Sequence, residues 1–100
     1  MKTYRVLSVC GSGIATSTLV ARRLTDGLSE RGIASVSVVE CNVQEASGQI
    51  AGIRPDAVIS TTALDAVELG GIRSFNGIPI LMNQNAAALY DEIAEHLRSL

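Results

Sequence analysis

Apolar positions along the chain follow two alternating rhythms. Arg5-Val6-Leu7-Ser8-Val9 is a short β-branched run that stops at a glycine-containing turn. A helical stripe follows through Val20, Leu24 and Leu28, with Leu19 beside it and Arg22, Arg23 and Asp26 turned away. This predicts strand, loop and helix, with the helix ending at Arg31-Gly32, a cation followed by a residue free to take positive φ. The rhythm then repeats. Val36-Ser37-Val38-Val39-Glu40 predicts a second strand, and Asn42 with Glu45 three residues later predicts a capping box for a helix on Val43, Ala46 and Ile50. Gly48 weakens that helix by about 1 kcal/mol relative to Ala. Ala57-Val58-Ile59-Ser60 predicts a third strand, entered through Pro55-Asp56 and left through the polar turn Thr61-Thr62. From Ala63 to Gly77 the pattern is faint and predicts at most a short helix around Asp65–Leu69, broken at Gly70-Gly71. Ile78-Pro79-Ile80-Leu81-Met82 predicts a fourth strand, placed at the sheet edge by Pro79. Leu89, Ile93 and Leu97 predict a last helix, with Asn83-Gln84-Asn85 supplying capping side chains.

Strands alternating with helices across 100 residues predict one α/β domain over residues 1–100. Right-handed crossovers then give a four-stranded parallel sheet in the order 2-1-3-4 with helices on both faces, a flavodoxin-like or Rossmann-like three-layer sandwich. The composition fits, since 47% of residues are apolar but only 3% aromatic, as suits strands buried beneath small-residue helix faces. A net charge of −2, with no stretch interleaving cations and aromatics, argues against nucleic acid as a partner. No apolar run has signal-peptide or membrane-spanning length, so a cytoplasmic chain without direct membrane insertion is expected. Two cysteines and one histidine offer neither a Cys-x-x-Cys pair nor a metal-ligand set, and no cofactor is implied.

In a sheet of that order, ligands bind at the carboxyl ends of strands one and three, where the order reverses. Cys10 falls there, at the head of Cys10-Gly11-Ser12-Gly13-Ile14-Ala15-Thr16-Ser17. Gly11 and Gly13 permit close backbone approach, the following helix presents the positive end of its dipole, and Ser12, Thr16, Ser17 and Thr18 offer hydroxyls. Groups that favour a phosphate also favour a thiolate, so Cys10 is expected to be a nucleophile of lowered pKa. Cys41 lacks such a neighbourhood and is expected to be a small buried residue. Arg22 and Arg23 are expected on a solvated helix face and His96 at the surface. Thr61, Thr62 and Asn83 are expected to be turn and cap residues near the site's rim.

Three other glycine-loop chemistries compete. A nucleotide P-loop needs Lys before Ser or Thr, and no lysine follows Lys2, which excludes it. A dinucleotide fingerprint starting at Gly11 and Gly13 could use Glu40 as its ribose acid, but Thr16 stands where the third glycine belongs and there is no second mononucleotide-binding half. A cysteine phosphatase would place an arginine six positions after Cys10, where this chain has Thr16. A dinucleotide-binding or phosphatase-like module thus remains the alternative to a site that accepts and passes on a phosphoryl group.

The run Val9-Cys10-Gly11-Ser12-Gly13-Ile14-Ala15-Thr16-Ser17-Thr18 resembles the IIB components of the bacterial phosphoenolpyruvate-dependent sugar phosphotransferase system. It looks most like the galactitol-type branch, and the resemblance spans nearly the whole chain. It implies that Cys10 takes a phosphoryl group from a phosphohistidine of a IIA protein and gives it to a sugar or polyol, galactitol by the branch, held by the membrane IIC protein. It also implies that Gly11, Ser12, Gly13, Ile14, Ala15, Thr16 and Ser17 form the phosphate-binding loop. Two in-line transfers at one sulfur require partners to dock alternately, so the rim should be small and uncharged.

Overall fold

The computed structural model describes residues 3–10, 14–33, 35–62 and 69–100, with the side chains of 14–17 left aside. Among these residues eight elements follow in order: β1 (Tyr4–Cys10), α1 (Ile14–Ser29), β2 (Val36–Asn42), α2 (Val43–Ile53), β3 (Ala57–Ser60), β4 (Ser74–Asn76), α3 (Ile78–Met82) and α4 (Ala86–Arg98). The strands form one sheet in the order β2-β1-β3-β4, every pair parallel, as the alternation predicts. No helix among the described residues is long and apolar enough to cross a membrane.

Strand alternation divides β1 between two apolar clusters. Val6 joins Val20, Leu24 and Leu28 of α1, Ile59 of β3, Phe75 of β4, Ile80 of α3, and Ile93 and Leu97 of α4. Leu7 and Val9 face the other way, onto Cys41, Ala46, Ile50 and Val58 beneath α2. Among the described residues, three helices therefore cover one face and one covers the other. Gly27 is what lets α4 close on α1, because a Cβ there would lie 2.7 Å from the Tyr90 ring. Arg31 reinforces that seam, donating to Gly27 O at 2.9 Å and to Asp91 Oδ1 at 2.6 Å, with Gly32 at φ +85° just beyond.

The predicted fourth strand is corrected. Ile78–Met82 is helix α3, and the edge strand is Ser74–Asn76. An apolar run of five carries no periodicity that separates strand from helix, so its flanks decide. Asn76 Oδ1 accepts the Ile78 N–H at 3.0 Å, Pro79 sits in the first turn where its missing N–H is harmless, and Asn83 closes the helix at φ 55°. The capping prediction for α4 changes too. Asn85 occupies the N-cap position in the left-handed region without a side-chain cap bond, so the two asparagines serve as residues tolerant of positive φ.

Two polar side chains are less solvated than the sequence pattern predicts. Arg23 leaves the surface to donate to Ile80 O and Leu81 O at 3.0 and 2.8 Å, tying α1 to the carbonyl end of α3. His96 is half-buried, its Nε2 donating to Asp56 O at 2.9 Å and its ring 5.8 Å from that of Phe75. Both contacts join residues at least 40 positions apart, and helical periodicity carries no information about such pairs. Arg22 is exposed as expected. The short helix expected around Asp65–Leu69 lies almost wholly outside the described residues, which resume at Leu69 with the turn through Gly70 and Gly71, both at positive φ.

Candidate active site

Cys10 is the last residue of β1, one of the two central strands, and its thiol is free and 4% exposed. The order reverses between β1 and β3, so the crevice of an open parallel sheet opens at this point. By alternation from Val6 and Ser8, Cys10 belongs to the face covered by α1. That helix begins at Ile14, four residues on, which brings the positive end of a 16-residue dipole toward the strand end. Ile14, Ala15, Thr16 and Ser17 form its first turn. Their side chains, and Gly11, Ser12 and Gly13 altogether, lie outside the described residues.

On the β2 side Cys10 pairs with Asn42, which caps α2. Asn42 Oδ1 accepts the Glu45 N–H at 2.9 Å and Glu45 Oε1 accepts the Asn42 N–H at 3.4 Å, the predicted capping box. The α2 terminus is therefore satisfied by its own side chains and carries a carboxylate. An anion at Cys10 finds its favourable helix end at α1 instead.

The β3 side differs. The β1–β3 ladder ends at Val9 and Ser60, so Cys10 extends one residue past it and is flanked by the Thr61-Thr62 turn. Thr61 N–H donates to Val9 O at 3.1 Å. Ser60 Oγ accepts the Thr62 N–H at 3.1 Å and donates to Thr62 O at 2.6 Å. Gly77 closes the outer flank, its N–H donating to Ser60 O at 2.6 Å. A Cβ at Gly77 would stand 2.8 Å from an Ile59 methyl and 3.3 Å from that of Thr61. The sequence reading placed Thr61 and Thr62 on the rim but passed over Ser60. Serine at a strand end before two threonines is the available signal, because its hydroxyl can bond the backbone two residues on.

Cys41, one ladder step from Cys10, is a buried free thiol as expected. Burial pushes its pKa up, and the nearby Glu45 and Cys10 push it the same way. Among the described residues no group of three His, Cys, Asp or Glu side chains could share a metal ion.

A parallel sheet in this order, with a free cysteine at its switch point and a helix beginning four residues on, defines a flavodoxin-like domain. The model of the lactose/cellobiose-specific IIB subunits of the phosphotransferase system matches residues 5–97. The chain belongs to that family. It is 30% identical over 89 residues to the "Putative phosphotransferase enzyme IIB component SgcB" of Escherichia coli (strain K12), covering 89% of this chain and 91% of that protein. The lactose-specific IIB component domain from Streptococcus pneumoniae has the same fold, with a TM-score of 0.57 over 95% of this chain and 98% of that one at 22% identity.

Proposed function

We propose that this domain is a phosphocarrier whose Cys10 is transiently phosphorylated. The observation that carries the reading is the free thiol at the end of β1, where α1 begins four residues on, in a chain of the IIB family. The Cys10 thiolate attacks the phosphorus of a phosphohistidine on a IIA protein; the S–P bond forms, the P–N bond breaks, and the imidazole keeps the electron pair. A hydroxyl of the sugar or polyol held by IIC then attacks the same phosphorus, the S–P bond breaks, and the hydroxyl proton is lost to a base. Backbone N–H groups and hydroxyls from Gly11 to Ser17 hold the phosphoryl oxygens. With Thr16 where a phosphatase has arginine, no fixed cation in that loop drives hydrolysis, and the group stays transferable.

The acceptor we propose is galactitol, on the strength of the Cys-Gly-x-Gly-x-Ala-Thr-Ser run alone; the family description names lactose and cellobiose. The test is intact-mass measurement after incubation with phosphoenolpyruvate, the general phosphotransferase proteins and a cognate IIA protein. One phosphate adduct is expected, absent in Cys10→Ser and kept in Cys41→Ala. An adduct surviving in Cys10→Ser moves the site elsewhere, and thermal stabilisation by a dinucleotide without an adduct favours a binding module. Adding membranes with the matched IIC protein should then discharge the adduct with galactitol and not with lactose or cellobiose; discharge by either disaccharide replaces the acceptor assignment.

A further inference from the structure

We infer that Ser60 is a positioning residue for the phosphoryl-carrying cysteine, acting through the Thr61-Thr62 turn. The inference rests on the proposed role of Cys10 and adds a residue on another strand.

Cys10 is secured unequally on its two sides. Toward β2 the ladder continues to its own position, opposite Asn42. Toward β3 the last pair is Val9 and Ser60, and the next backbone contact is the Thr61 N–H on Val9 O at 3.1 Å. Val9 O belongs to the peptide group whose nitrogen is that of Cys10. The Thr61 amide therefore restrains the peptide plane from which Cys10 departs.

What fixes the Thr61 amide is the Ser60 hydroxyl. Ser60 is 5% exposed, and its hydroxyl accepts from Thr62 N and donates to Thr62 O, committing its proton and one lone pair to one residue of the turn. Two bonds from one buried oxygen leave Thr61 little freedom between them. The outer side of the turn is equally restricted, since Gly77 holds Ser60 O at 2.6 Å and leaves no room for a Cβ. Without the hydroxyl, the Thr62 N–H and C=O lose these partners, and the turn can relax only toward the crevice beside Cys10. In-line transfer needs the sulfur aligned with the P–N bond, and a displacement of about 1 Å can cost up to a hundredfold in rate. Ser60 touches neither phosphorus nor sulfur in this account; it sets where the sulfur stands.

Steady phosphorylation of wild type, Ser60→Ala and Ser60→Thr by a titrated phospho-IIA protein tests this, read as kcat and KM separately and at a temperature where all three are folded. Ser60→Ala should lower kcat about tenfold with KM within about twofold, and Ser60→Thr, which keeps the oxygen, should recover most of it. A kcat for Ser60→Ala within twofold of wild type, or a change confined to KM, overturns the inference. Amide exchange in the unmodified protein is a readout independent of the variants' folding. The Thr62 N–H should be protected, and exchange at the rate of an unstructured peptide overturns the inference too. Wild type that takes no phosphate overturns the carrier reading itself and this inference with it, whereas failure of Ser60→Ala to differ leaves Cys10 in place and removes only Ser60.

Discussion

The two faces of the sheet carry one cysteine each, and they are built differently. The α1 face is thick: α1, α3 and α4 converge on it, and its cluster reaches from Val6 to Phe75 on the edge strand. The α2 face is thinner among the described residues, with Ala46 and Ile50 of one helix meeting Leu7, Val9, Cys41 and Val58, and Leu69 and Ile72 packed at its margin. Cys10 at 4% and Cys41 at 9% are almost equally buried, so exposure does not separate the two. Their surroundings do. Cys10 stands at the end of a central strand, four residues before α1 begins, whereas Cys41 stands among hydrocarbon beside the Glu45 carboxylate, and burial and that carboxylate hold its thiol protonated.

The largest expected effects that probe this contrast are truncations in the two layers. Leu24→Ala, at a fully buried position shared by several elements, should cost about 4 kcal/mol in chemical denaturation, because neighbours fixed by three helices cannot collapse into the cavity. Ile50→Ala should cost about 2 kcal/mol, since among the described residues α2 and the segment of Leu69 and Ile72 pack against this cluster and can settle onto the sheet. Equal losses, or the reverse order, would show that the thin face is the better packed and break the contrast.

Much of this division was legible in the chain. The period of two in Val6 to Val9 and the stripe Val20, Leu24, Leu28 fix which residues face which layer, and the alternation of elements fixes the strand order. The place of Cys10 at the end of the first strand was legible as well, because the β-branched run stops at the glycine loop. What was not legible depends on distant partners or on short segments. Ile78–Met82 has too few residues to show a period, and only Asn76 and Asn83 at its flanks make it a helix. Arg23 lies off the apolar stripe of α1, and the α3 carbonyls it binds are 57 and 58 positions away, beyond the reach of helical periodicity. Ser60 carries a local turn signal, but its links to Val9 O across the ladder, through Thr61, and to Gly77, seventeen positions on, were not legible.

A smaller effect separates the faces by pH. Folding raises the Cys41 pKa above its ordinary 9.0, chiefly by burial, so the native protein holds this proton more tightly than the unfolded chain. Its contribution is fully present below about pH 9 and is lost as the pH climbs through the unfolded and then the folded value. Tyr90, in the seam between α1 and α4, acts in the same sense at higher pH: burial raises its pKa above 10.0 although Arg23 and Arg31 oppose the shift. Stability measured by denaturation should therefore be level through neutral pH and fall in the alkaline range. Cys41→Ala should make the first part of that fall shallower without touching the phosphate adduct on Cys10. An unchanged alkaline limb would remove Cys41 from the account.

The smallest expected effect has the opposite sign and belongs to the thick face. Ser8 lies two residues before Cys10, fully buried, and its Oγ has no hydrogen-bond partner among the described residues. A buried hydroxyl that bonds nothing has given up water without compensation, a penalty of about 1–3 kcal/mol. Ser8→Ala removes that oxygen while leaving only a slight gap beneath α1, and should stabilise the domain by about 1 kcal/mol, a rise of a few degrees in Tm. Ser60→Ala is the control on the same sheet: its hydroxyl has two bonds to lose, so the same change should destabilise by about 1 kcal/mol. Thermal melts of the two variants should therefore shift in opposite directions. If Ser8→Ala melts lower instead, the hydroxyl does have a partner in solution, and the search for it begins at α1's first turn, above Cys10.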